Sequence, residues 1–217
     1  MGHGVYMISK ISDMIRDSFE KKDAARERSL VISRDVVRNC RTAMFSIHKG
    51  DMEKASGMLD VSRRMLEETD LLLEDHPDIY HAGFVEHAQQ EYIEGVVLFS
   101  LVESKGDAAS IAGPEELGVG YAAYLNGLAD VIGELRRHTL DIIRNDVPSE
   151  GEKYLEVMEE IYACLMMFDF PDAMTRGLRH KTDTARALIE RTRGDLTTAI
   201  GQQKLENSMR DFKAIID

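Results

Sequence analysis

An all-helical bundle is the fold class this sequence predicts, and three observations carry the prediction. Apolar residues recur at helical spacing along nearly the whole chain, and no strand-like alternation survives beside them. Aromatic residues make up only 6% of the 217 residues and Trp is absent, which is thin for a β-sandwich. The four prolines, Pro77, Pro114, Pro148 and Pro171, all fall at breaks in the helical pattern. Twelve Met residues suit helix packing, where a flexible thioether fills irregular gaps.

The first helix spans about Met7 to His48, with at most one break near Glu20–Asp23. Leu30, Val37, Met44 and Ile47 form its apolar stripe, with Cys40 between them. At 1.5 Å per residue it is roughly 60 Å long, more than a small globule needs. Lys49-Gly50 ends it and Asp51 caps a second helix to about Asp75. His76-Pro77-Asp78 is a break, and a third helix runs from Tyr80 to Ser104. The Gly-rich stretch Lys105–Pro114 is the clearest loop. A fourth helix starts between Glu115 and Val119 and reaches Arg144. After Asn145–Ser149 a fifth runs to Phe168. Pro171-Asp172 opens a sixth, ending at Gly194, and a seventh follows from Asp195 to the C-terminus. The reading is a single seven-helix bundle over residues 7–217, preceded by a flexible extension at residues 1–6.

The two cysteines, Cys40 and Cys164, sit in apolar helical patterns and are expected as buried free thiols. No apolar run is long enough to cross a bilayer, and the N-terminus lacks a signal peptide pattern, so a cytoplasmic location is expected. The net charge of −12 argues against a general nucleic-acid coat, since phosphate binding rewards positive surface. A local basic site remains open.

Two acidic pairs stand out. Glu91 and Glu94 share a face of the third helix, and Asp130 and Glu134 share a face of the fourth. Like charges at that spacing repel unless a cation lies between them. Both helices are otherwise the most apolar of the chain, and Gly95, Gly127 and Gly133 would let them approach closely. Four carboxylates make a hard oxygen site that prefers Mg²⁺ or Mn²⁺ to zinc, a combination suited to phosphodiester hydrolysis. A pair of solvated acidic faces gives the same pattern. Glu67/Asp70 and Glu156/Glu159 show that pattern in more evenly charged stretches. All-helical nucleoside triphosphate pyrophosphohydrolases also use acidic pairs. Di-iron bundles need a Glu-x-x-His pair that neither helix has.

Arg34, Arg38 and Arg41 lie at i, i+4 and i+7 on the first helix, and Arg136-Arg137 follow Glu134. This is either an ordinary charged surface or a phosphate track. Aromatic interleaving is slight beyond Phe45 and Tyr92, so base stacking is not evident from the sequence.

The same segments carry a resemblance. RERSLVISRDVVRNCRTAMFSIHKGD, EYIEG, YLNGLADVIGELRR and FDFPDAMTRGLRHKTDTARALIERTRGDL resemble successive parts of the translin family, spread over nearly the whole chain. The complete acidic set is similar to the branch of translin-associated factor X rather than to translin itself. Gly95 stands where that branch often has Ala.

The resemblance implies a metal-dependent endoribonuclease acting on single-stranded RNA, and on single-stranded DNA as a further ligand. It implies Glu91, Glu94 and Asp130 as catalytic metal ligands, with Glu134 the fourth, and Mg²⁺ or Mn²⁺ as the cofactor. It sets Arg137 beside the scissile phosphate, while the spacing of Arg34, Arg38 and Arg41 makes them the expected RNA-binding track. It also implies a homo-octameric shell around the RNA, as in archaeal members. Translin itself supplies the other reading, a single-stranded nucleic-acid-binding protein without catalysis.

Overall fold

Helix α1 (Gly2–His48) runs as 47 unbroken residues, about 70 Å long. The computed structural model describes the backbone of residues 2–216 and the side chains of residues 7–214. The extension expected at residues 1–6 therefore falls outside the described side chains. The helix does not break at Glu20–Asp23. That stretch holds good helix formers, and Lys21 pairs with Asp17 one turn earlier at 2.8 Å. The buried stripe is Ala25, Ile32, Val36, Cys40, Ala43 and Ile47. Leu30 and Val37, expected on it, are only half-buried at its edge.

Gly50, at φ +78°, turns the chain, and the Asp51 carboxylate accepts from Lys54 N to start α2 (Met52–Leu73). Arg28–Glu68 and Cys40–Ser62 contacts show α2 running antiparallel to α1. The third helix expected from Tyr80 is divided. A single turn, α3 (Pro77–Tyr80), precedes Gly83 at φ +98°, and α4 (Phe84–Glu103) follows. Pro114 opens another single turn, α5 (Pro114–Leu117), closed by Gly118, before α6 (Tyr121–Arg144).

Helix α7 (Glu152–Leu165) and the turn α8 (Asp172–Thr175) lead to α9 (Leu178–Ile216). The sixth and seventh helices expected on either side of Gly194 are one continuous α9. A single Gly in a helix costs only about 1 kcal/mol relative to Ala, and the packing of Ile189, Thr192 and Leu196 outweighs it. The fold is an all-α bundle, with no strand among the described residues.

Helix α4 lies between α1, α2 and α6, which is why Val85, Ala88, Ile93, Val97, Leu98 and Leu101 are all buried. Helix α6 packs in turn on α7 and α9. The expectation for the glycines holds in one case. A methyl at Gly127 would sit 2.6 Å from Ile93 Cβ and 2.9 Å from the Gln90 carbonyl, so Gly127 sets the α4–α6 approach. Gly95 instead makes room for Leu59 of α2, and Gly133 has ordinary space toward α9. Cys40 is buried, and burial pushes its thiol up to about 12. Cys164 is exposed, contrary to expectation, because it lies on the outer face of α7's last turn. No described helix is long and apolar enough to cross a membrane. Most side chains near the two helix ends are exposed, including Ile8, Met14 and Phe19 of α1 and Leu205, Met209 and Phe212 of α9.

Candidate functional site

The close approach at Gly127 places the acidic face of α4 beside that of α6. Gln90 ties them directly, its Nε2 donating to Asp130 Oδ2 at 2.6 Å. The same oxygen accepts from Lys181 Nζ of α9 at 2.6 Å, and that amine also reaches the Asn126 carbonyl at 3.3 Å. Glu134 lies on the next turn of α6. Its Oε2 is 2.5 Å from Nε2 of His48, a nearly buried ring from the last turn of α1, and 3.7 Å from Arg137. The His48 hydrogen bond holds the Glu134 carboxyl below the usual carboxylate range.

On the α4 side Glu91 is buried, and Arg41 of α1 grips it with both prongs, at 3.1 and 3.4 Å. His87 stands 3.7 Å from the same carboxylate. Glu94 is the exception. Among the described residues it has neither an ion pair nor a hydrogen bond of its own. Burial, then Asp130, Glu134 and Glu91 as like charges, push its carboxyl up to about 8, with Lys181 opposing.

These groups open into a cavity of about 340 Å³ between α4, α6 and α9, lined by Glu94, Asp130, Glu134, His180, Lys181 and Thr184. The donor set is hard oxygen, which fits Mg²⁺ or Mn²⁺ in kind. The carboxylates are nonetheless held in separate pairs. No three Asp, Glu, His or Cys side chains among the described residues are grouped closely enough to hold one ion. Arg41, Lys181 and His48 each draw one carboxylate toward themselves, and Glu94 alone stays uncompensated.

A second, open groove of about 410 Å³ runs along α1, lined by Arg34, Val37, Arg38, Arg41, Thr42 and Phe45. The helical spacing of the three arginines thus becomes one surface. Arg38 pairs with Asp35 at 2.9 Å, and Arg34 has no carboxylate partner among the described residues. Arg41 belongs to both places, because it lines the groove and holds Glu91.

All four predicted carboxylates are therefore gathered in one region, the three α1 arginines in an adjoining groove, and Arg137 at the Glu134 edge. The sequence reading missed His48, Gln90 and Lys181. His48 lies two helical turns beyond Arg41, a spacing that would have put it on the same side. Lys181 carried no signal, because nothing in spacing brings α9 to α6. Asp70, read as a solvated decoy, is half-buried against Tyr80, and burial raises its carboxyl.

No family model matches the chain. An uncharacterized protein of Methanocaldococcus jannaschii is 34% identical over 191 residues, covering 87% of this chain and 82% of that protein. AfC3PO, solved alone and in complex with duplex RNA, is also 34% identical, with TM-scores of 0.80 and 0.81. Those matches cover 88% of this chain and 97% and 96% of the AfC3PO chains.

The chain belongs to the translin family. Apo-NeC3PO, 19% identical with a TM-score of 0.77 and covering 86% of this chain and 96% of that one, shares the fold. In this translin-family chain Glu94, Asp130 and Glu134 line one cavity, and Glu91 lies one turn before Glu94 on α4.

Proposed function

We propose that this protein is a metal-dependent endoribonuclease that binds and cuts single-stranded RNA in the cytoplasm. The observation that carries the reading is Glu94. A carboxyl buried against three other carboxylates, with no cation of its own, is the arrangement a divalent ion would relieve. Glu91, Glu94, Asp130 and Glu134 would hold the ion, Mg²⁺ or Mn²⁺. When bound, the ion would supply a water of lowered pKa and stabilise the departing oxygen.

The chain's own residues do the rest. Gln90 and Lys181 fix one oxygen of Asp130 and leave the other free. His48 fixes Glu134. Arg41 joins the carboxylates to the arginine groove, so a strand lying on Arg34 and Arg38 arrives at Glu91. The solved complex of AfC3PO with duplex RNA supports RNA as the ligand class. Exposed apolar side chains at the ends of α1 and α9 support self-association, and a closed homo-octamer would turn the basic groove inward and the acidic surface outward.

A second reading has its own observation. Three of the four carboxylates already face a protein cation, Arg41, Lys181 or Arg137, as a site that never binds metal would arrange them. In that case the protein binds single-stranded RNA or DNA without cutting it.

Incubating purified protein with single-stranded RNA in Mg²⁺, in Mn²⁺ and in EDTA separates the two. Cleavage that EDTA stops, and that Glu94→Ala and Asp130→Ala lose while still binding RNA, supports the nuclease. Binding without cleavage in either metal supports the second reading. Light scattering that shows a monomer at micromolar concentration would defeat the shell.

A further inference from the structure

We infer that Phe45 is a stacking platform for one unpaired nucleobase, set at the end of the arginine groove. The inference rests on the nucleic-acid reading above and specifies which part of the ligand the groove takes besides phosphate.

Phe45 lies on α1, which packs on both α2 and α4, yet the residue is 52% exposed. Its neighbours Met44, Ser46 and Ile47 all turn into the core, so the ring is directed outward by the helix itself. Isolated exposed apolar side chains are common and carry no meaning alone. Three further facts set this one apart. The ring lines the same groove as Arg34, Arg38 and Arg41. Lys49 Nζ sits 4.4 Å over the ring centroid, a cation–π contact on one face, so a flat partner would stack on the other. Tyr92, the other aromatic near the carboxylates, is 3% exposed and unable to meet a ligand.

The spacing also fits. Four residues separate Phe45 from Arg41, about 6 Å along the helix axis, or one nucleotide step of an extended strand. A base stacked on Phe45 therefore leaves its phosphate at Arg41, whose guanidinium also holds Glu91, one turn before Glu94 on α4. Stacking on an aromatic ring requires a base that is splayed out of its helix, so the platform favours a single strand over a duplex. It tolerates any base, since every base has a π face.

The test uses the full-length protein and three labelled probes: short oligoadenylate RNA, an abasic ribose-phosphate strand of equal length, and a blunt RNA duplex. Affinity is read by fluorescence anisotropy in EDTA, so that no cleavage intervenes. Phe45→Ala should weaken oligoadenylate binding by about 5- to 100-fold. Phe45→Leu should lose most of that affinity, and Phe45→Tyr should stay close to wild type. The abasic strand and the duplex should bind wild type and Phe45→Ala alike. Unchanged thermal unfolding would confirm that each variant is folded.

Equal oligoadenylate affinity in wild type and Phe45→Ala overturns the platform while leaving the arginine track in place. An equal loss on the abasic strand also overturns it, because the ring would then only shape the groove. Failure of the folded wild type to bind any single strand overturns both the platform and the nucleic-acid reading.

Discussion

The acidic cavity and the arginine groove lie side by side and share Arg41, yet they are built on opposite rules. In the cavity the charges are buried or half-buried, and all but Glu94 are fixed by a partner from another helix: Arg41, Gln90, Lys181 or His48. In the groove the charges stand on one helix, face solvent, and lean on nothing but Asp35 and Glu91. Desolvation makes a charge sensitive to its neighbours, so the cavity should respond sharply to single changes. Solvation makes charges interchangeable, so the groove should respond in small, additive steps.

The largest effect that would break this contrast is at Asp130. Replacing it with Ala should lower single-stranded RNA cleavage by at least about 100-fold, the scale seen when a group that stabilises the transition state is removed. RNA affinity should stay within about threefold, because the phosphates are held elsewhere. Single-turnover cleavage and anisotropy on the same preparation check both halves.

Next comes charge reversal in the groove. Arg34→Glu with Arg38→Glu should weaken RNA binding and reduce the slope of log affinity against log salt by about 1.4, or roughly 0.7 per lost phosphate contact. Unfolding temperature should barely move. Arg41→Glu should behave differently, because Arg41 is not simply solvated. It would set a third carboxylate against Glu91 and lower stability as well as binding. If all three reversals proved equivalent, the division between the two regions would be wrong.

A smaller effect concerns pH. Glu94's carboxyl is raised from its ordinary range to about 8, so the folded protein holds that proton where the unfolded chain has lost it. Its contribution to stability is full below about pH 4.5 and is lost as pH rises through about 8. Metal-free Glu94→Gln should therefore be more stable than wild type at pH 8–9, by about 1–2 kcal/mol, since relaxation of neighbouring carboxylates reduces the full linkage value. Adding Mn²⁺ should reverse the order. Calorimetry across this pH range measures it.

The smallest effect is at Lys181. Lys181→Met keeps the length of the side chain and removes the amine that competes for Asp130. Mn²⁺ affinity by titration calorimetry should rise about 3- to 10-fold, since the charge count of a site tunes its affinity for hard cations. A fall in affinity would mean that Lys181 serves mainly to orient Asp130.

The same division governs what could be read from sequence. The helices were legible because each buries a stripe whose spacing is written locally, as in α1 and α6. The two carboxylate pairs were legible because i, i+3 and i, i+4 spacing is also local. The partners of those carboxylates were not. Lys181 reaches Asp130 across 51 positions, and His48 reaches Glu134 across 86, distances over which periodicity carries no information. Turn chemistry explains the boundary differences. Gly83 and Gly118 take left-handed φ values and split what looked like single helices, while Gly194 stays helical and splits nothing. Arg176 also adopts φ +50°, a conformation its side chain gives no hint of.

Gly127 separates two quantities that usually change together in a polar site: how much charge it holds, and how far apart the charges are. A methyl there would meet Ile93 Cβ at 2.6 Å and the Gln90 carbonyl at 2.9 Å, so α4 and α6 would have to part by a fraction of an ångström. Overpacking of this kind costs about 1–3 kcal/mol. Every carboxylate would remain, but the span between Glu94 and Asp130 would widen. Position 127 therefore acts as a spacer. Ala and then Ser would lengthen the span in steps, and an ion with strict coordination distances should tolerate fewer steps than a larger one.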